Sequence, residues 1–169
     1  GFLMLSDAVP DAILEIRYYS TYNFVGSRIN GYEEPVAMLT KEAAKALKKV
    51  SDELITKGYR LKIYDAYRPQ RAVDHFVRWS KDPSDTLMKQ YFYPDLNKPD
   101  LFKKGYIASK SGHTRGSTLD LTLFDMRTEK EVDMGGTFDW LGPESHQDYC
   151  APGLVFKKGG NLTEQQFKN

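Results

Sequence analysis

At 169 residues the chain has the length of one ordinary domain, and its 40% hydrophobic and 28% charged residues describe a folded globular protein, not a disordered tail. A formal net charge of +1 creates no global field favouring nucleic acid or an anionic membrane. No apolar run approaches the ~20 residues that a membrane-spanning helix needs.

Taken in chain order, the first strong element is AMLTKEAAKALKKVSDELITKG, residues 37–58. Thr40 is placed as the N-cap, Ala43, Leu47, Val50 and Leu54 form an apolar stripe, and Gly58 ends the helix. RLKIYDAY follows as a half-buried strand in which Leu61, Ile63 and Ala66 alternate with polar or aromatic neighbours. Pro69 opens a second helix, PQRAVDHFVRWS, with Val73, Phe76 and Val77 expected to face inward. Residues 81–112 read as a long loop with irregular pieces, followed by strands over 117–125 and around 130–134. Helices and strands mix without a regular βαβ rhythm, which predicts the α+β class and a single domain. The lone Cys150 cannot close an internal disulfide, so the fold must stand without one, in the cytoplasm or outside it. A first residue of Gly in place of Met points to a trimmed N-terminus and a lost address label. Oligomeric state has no signature in the sequence.

The stretch SGHTRGSTLD, residues 111–120, carries the chemistry. One helix would hold His113 and Asp120 ~10 Å apart along its axis, and one extended strand ~23 Å apart. A hairpin turning at Gly116-Ser117 would make them cross-strand neighbours with Cα atoms ~5 Å apart. Imidazole and carboxylate would then reach one zinc ion at ~2.0–2.2 Å. Beyond the turn, Leu119, Leu121 and Leu123 are expected on one face and Thr118, Asp120 and Thr122 on the other. An Asp–His hydrogen bond without metal fits the same spacing.

The pattern S-x-H-x-x-G-x-x-x-D, here Ser111, His113, Gly116 and Asp120, resembles the metal motif of the D-alanyl-D-alanine dipeptidase family. The resemblance extends through IRYYSTYNFVG (16–26), INGYE (29–33), IYDAYRPQRA (63–72), DMGGTFD (133–139) and ESH (144–146), in the family's order. These zinc peptidases are related to D,D-carboxypeptidases and share a fold with the hedgehog signalling domain. The resemblance therefore implies a hedgehog/DD-peptidase-like fold, with a central, mostly antiparallel sheet flanked by helices. It implies one zinc ion per chain in the intact protein, weak or absent in a truncated one, with His113 and Asp120 as two of its ligands, and a small D,D-dipeptide as substrate. Arg68 would stabilise the oxyanion, Asp139 would hold the substrate's free ammonium, and Ser111 would add a polar contact. Gly136-Thr137 stands where many relatives have Thr and a variable residue, a departure just before Asp139.

The family completes its site with E-x-x-W-x-H, which supplies a general-base Glu and a third ligand. No such motif occurs here, and of the remaining histidines neither His75, on the second helix, nor His146, in ESH, is a recognised ligand. In NLTEQQFKN, Thr163 and Gln166 resemble a capping box, with Leu162 and Phe167 as a hydrophobic staple. The expectation is a domain over 1–169 that continues beyond Asn169 to the missing Glu and His. D-Ala-D-Ala hydrolysis in cell-wall metabolism or glycopeptide resistance is the function implied. The alternatives are a non-catalytic binding domain of this fold and a D,D-carboxypeptidase acting on longer wall peptides.

Overall fold

A computed structural model describes residues 1–146 and Tyr149; Cys150 and the capping-box segment lie outside the described residues. Strand β1 (Phe2–Met4) pairs antiparallel with β3 (Met38–Thr40) in a small sheet. Between them lie helix α1 (Leu5–Ala8) and strand β2 (Ile13–Leu14). The main sheet has the order β2-β4-β5-β6, with β4 at Tyr59–Asp65, β5 at Asp120–Asp125 and β6 at Lys130–Glu131. Only β2 and β4 run parallel; the other two pairs are antiparallel. This is the α+β, mostly antiparallel arrangement that the sequence implies.

Helix α2 (Lys41–Thr56) is capped as expected, Thr40 Oγ1 accepting a bond from Ala43 N, and Gly58 follows it at φ 86°. Its buried face is rotated from the predicted stripe. Ala44, Leu47 and Ser51 are buried, Ala43 and Leu54 lean on the core, and Val50 is 48% exposed. Helix α3 (Gln70–Ser80) buries Ala72, Val73, Phe76 and Trp79, while Val77 is half-buried at the edge of that face. The expected loop 81–112 contains two short helices, α4 (Lys89–Phe92) and α5 (Lys98–Lys103). They bring Phe92, Tyr93 and Leu101 into the core, which overrides the local polar composition.

The core fills the space between the sheet, α2 and α3 with Leu5, Leu39, Leu61, Ile63, Phe76 and Trp79 among its members. One loop shapes it on the site side. Asn23, fully buried, donates to the carbonyls of Arg17, Ser20 and Ser27 and accepts from Val25 N and Gly26 N. A single amide thereby satisfies a buried turn that has little regular structure of its own. The turn sets Tyr18 into an aromatic cluster with Phe24, Tyr32, Phe76 and Phe138.

The predicted hairpin at 116–117 does not form. Gly112–Arg115 is a 3-10 turn, Gly116 caps it in the left-handed region at φ 78°, and β5 starts only at Asp120. Gly116 is needed twice over, because a Cβ there would also lie 2.2 Å from the Phe2 ring. The last strand is likewise shorter than the expected 130–134. The leucine face is interrupted as well: Leu119 and Leu123 pack on the core, but Leu121 is 38% exposed and Thr122 is buried.

Candidate metal centre and active-site cavity

His113 and Asp120 meet by a route other than a hairpin. The 3-10 turn docks on the segment after β4, with Arg68 N donating to His113 O at 3.3 Å and His113 Nδ1 2.8 Å from Ala66 O. A carbonyl can only accept, so Nδ1 carries the proton and Nε2 is left as the ligand nitrogen. Nε2 faces Asp120 Oδ1 at 3.4 Å. A roughly tetrahedral ion with bonds of about 2.1 Å holds neighbouring donor atoms about 3.4 Å apart, so this pair fits a zinc-sized ion.

Asp120 is positioned by strand pairing. Its partner across the β4–β5 ladder is Asp65, while Ile63 pairs with Leu121. Tyr64 is therefore an extra residue on β4, and the resulting bulge brings Asp65, not Tyr64, opposite Asp120. Asp65, His113 and Asp120 each offer one ligand atom, all within 4.8 Å of one another, a group that could hold a metal ion.

Arg68 links this group to the rest of the cavity. Its Nε donates to Asp65 Oδ2 at 2.9 Å, while Nη2 forms an ion pair with the same oxygen at 2.8 Å and donates to Asp120 Oδ2 at 3.5 Å. The guanidinium sits 5.0 Å from the centre of the Tyr18 ring. Among the described residues no hydrogen bond or ion pair takes Nη1. Burial opposes the guanidinium's charge, but Tyr18, Asp65, Tyr32 and Asp120 around it outweigh that effect and raise its pKa. Burial likewise pushes the Asp65 carboxyl up, against the opposing pull of Arg68, the Tyr32 hydroxyl and His113. For His113, burial lowers the imidazole, but the bond to Asp120 and the charges of Asp120 and Asp65 leave it above its ordinary value.

Asp139 closes the other side. It adopts the left-handed region at φ 63°, which Asp tolerates better than most residues. Oδ1 accepts the Tyr18 hydroxyl at 2.7 Å, whereas the buried Oδ2 accepts no hydrogen bond from any of the described residues. Burial pushes this carboxyl up to about 7, against the pull of the Tyr18 bond and Arg68. Burial also raises the Tyr18 hydroxyl well above its usual value, so it stays a proton donor. Ser111 accepts from His113 N at 3.2 Å and caps the 3-10 turn.

Tyr18, Arg68, Ser111, His113, Asp120 and Asp139 line one cavity of about 330 Å³. All five candidate residues from the sequence are thus brought together. Asp65, Tyr18 and Tyr32 were not singled out, although each stands inside a motif that was. His75 lies elsewhere, its Nδ1 accepting from Asn30 N, and His146 packs on the Tyr106 ring at 4.7 Å. Neither belongs to the metal-capable group, which among the described residues has only its three members.

A family profile described as D-ala-D-ala dipeptidase (Peptidase_M15) matches residues 1–152. The chain is 40% identical over 146 residues to a D-alanyl-D-alanine dipeptidase of Enterococcus faecalis, covering 86% of this chain and 72% of that protein. It is 39% identical over 161 residues to one from Enterococcus faecium, covering 95% and 79% respectively. A more distant dipeptidase, from Escherichia coli, is 33% identical over 137 residues, or 81% of this chain and 60% of its own length.

Proposed function

Because the chain belongs to the D-Ala-D-Ala dipeptidase family of metal-dependent peptidases, we propose that it is a zinc dipeptidase hydrolysing D-Ala-D-Ala or a similar dipeptide of cell-wall metabolism. The observation that carries this reading is the facing of His113 Nε2 and Asp120 Oδ1 at 3.4 Å in a cavity that also holds Arg68 and Asp139. In this reading His113 and Asp120 are two of the zinc ligands. Zinc in that position supplies Lewis acidity to the scissile carbonyl and to the attacking water.

The other residues of the cavity each take one task. Arg68 presents Nη1 to the charge that develops on the carbonyl oxygen, and its position is fixed before substrate arrives. Asp139 receives the dipeptide's ammonium on Oδ2, the oxygen that accepts nothing from the described residues. An ammonium in that place restores the partner that a buried carboxylate lacks. An enclosed carboxylate of this kind favours a free amino terminus over an acylated one, which supports a dipeptidase over a carboxypeptidase on longer wall peptides. Ser111, held against His113 N, has a hydroxyl proton to offer the substrate. Removal of D-Ala-D-Ala suits glycopeptide resistance or recycling of wall fragments.

The test is D-Ala release from D-Ala-D-Ala by the zinc-loaded full-length protein, with and without a chelator. Release that stops with chelator and returns with zinc is expected. Chelator-insensitive release, or an inert zinc-loaded protein, would refute the proposal.

A further inference from the structure

We infer that Asp65 is not a metal ligand but the positioning residue of this site, one buried carboxylate that fixes both the Arg68 guanidinium and the His113 ring. The inference rests on the roles proposed above for those two residues. Asp65 is one of three residues whose ligand atoms lie within 4.8 Å, and distance alone does not separate it from Asp120. Hydrogen bonding does.

Asp65 is fully buried, while Asp120 is about one-third exposed at its side chain. Oδ1 of Asp65 accepts the Tyr32 hydroxyl at 2.7 Å, and Oδ2 accepts Nε of Arg68 and forms an ion pair with its Nη2. Both oxygens are therefore occupied by donors that the fold supplies. Their contact with the imidazole is also on the wrong edge for shared metal binding. Oδ2 lies 3.4 Å from Nδ1, the nitrogen that the Ala66 carbonyl keeps protonated, whereas Asp120 faces Nε2. The ring thus stands between Asp65 and the place where an ion would sit. The Ala66 carbonyl sets the tautomer, and the Asp65 charge beside the same Nδ1–H holds that edge of the ring in place.

The same oxygen sets Arg68. Nη2 lies 2.8 Å from Asp65 Oδ2 and 3.5 Å from Asp120 Oδ2, two acceptors within reach of one nitrogen. With Asp65 in place, the guanidinium is drawn toward β4, its bond to Asp120 stays at 3.5 Å on Oδ2, and Oδ1 is left facing His113 Nε2. Without that charge, Asp120 becomes the strongest acceptor left to Arg68. The guanidinium would swing toward it, compete with the metal and leave its place beside the substrate carbonyl. Tyr32 adds a second tether: its hydroxyl holds Oδ1, so the carboxylate cannot rotate.

The experiment compares Asp65→Asn, Tyr32→Phe, Asp120→Asn and Arg68→Ala in the whole protein. Metal affinity, kcat and KM at saturating zinc, melting temperature and the visible spectrum of the Co2+-loaded protein are measured for each. Asn fits the volume of Asp65 but turns an NH2 toward donors that need an acceptor. Asp65→Asn should weaken zinc ~10–100-fold and lower kcat on the order of 100-fold at saturating zinc, with KM moved less than about 3-fold. Its saturated Co2+ spectrum should match the unsubstituted protein, whereas Asp120→Asn should alter it. Tyr32→Phe should lower kcat by about 3–10-fold, the loss of one hydrogen bond, and leave zinc affinity in place. A Co2+ spectrum changed by Asp65→Asn as by Asp120→Asn would make Asp65 a ligand and overturn the inference. So would a lower melting temperature with kcat intact, the signature of a structural role alone. If Asp65→Asn does not fold, Tyr32→Phe decides, and an unchanged kcat there counts against the tether. Loss of kcat in Arg68→Ala but not in Asp65→Asn defeats this inference and leaves the function proposed above standing. An active Arg68→Ala defeats the role of Arg68 and the inference together.

Discussion

Asp65 and Asp139 are two enclosed carboxylates under the influence of Arg68, and each accepts a buried tyrosine hydroxyl at 2.7 Å. They differ at the second oxygen. That of Asp65 is filled by Arg68, while that of Asp139 is buried and accepts nothing from the described residues. An enclosed polar group is costly unless partnered, so the fold has completed one carboxylate and left the other to be completed. The difference teaches that burial does not distinguish framework from binding group. The vacancy at one oxygen does.

That contrast can be broken most severely at the group that influences both. Arg68→Ala should lower kcat by ~10²–10³-fold, the usual loss for one oxyanion donor, measured in steady state at saturating zinc. Asp139→Asn comes next. Loss of a buried charge-assisted contact should raise KM for D-Ala-D-Ala by ~10–100-fold, about 1.5–3 kcal/mol, and move kcat less. The pH profile sharpens this. With the carboxyl pushed up to about 7, it is neutral below that pH and cannot pair with an ammonium. KM should therefore rise as pH falls through 7 in the parent protein, and stay flat there in Asp139→Asn.

Stability should show the opposite sense. The folded carboxyl binds its proton more tightly than the unfolded one, so stability falls as pH rises from ~4, the ordinary Asp value, through about 7. Asp139→Asn should remove that fall in a series of thermal melts. A smaller effect is expected from Tyr18→Phe. It withdraws the bond that favours the ionised Asp139, so the KM limb should shift to higher pH with a change of less than about 10-fold at neutrality. Smallest for the site is Thr40→Ala. Loss of the α2 cap should cost ~1 kcal/mol of stability and leave kcat/KM alone, a control for effects that act through folding.

The parts of the fold legible in the sequence are those with local causes. Thr40 and Gly58 bound α2 because capping and positive φ are decided within a few residues. The failures are equally physical. Periodicity gave a stripe through Val50, but what packs against α2 decides which neighbouring face is covered, and it selected Ala44 and Ser51. Pro- and Lys-rich residues 81–112 hid two short helices because Phe92, Tyr93 and Leu101 gain burial only when the rest of the domain is present.

The candidate site divides in the same way. His113, Asp120, Arg68, Asp139 and Ser111 were reached from their motifs, and those residue types limit the chemistry to cation binding, charge stabilisation and polar contact. Their convergence needed structure. The hairpin expected to join His113 to Asp120 is replaced by a 3-10 turn docked on residues 66–68 and a strand starting three residues later than expected. Asp65 could not be singled out, since nothing local marks a carboxylate at a strand end as the partner of a residue 55 positions away. Only the bulge at Tyr64, the register of β4 on β5 and the approach of Tyr32 give it a role. Sequence alone determined the family, the class of fold and most of the reactive groups, because these reside in residue identity and order. The tertiary structure decided which carboxylates are satisfied and which oxygen is left over, because those depend on contacts between segments that the chain order does not fix.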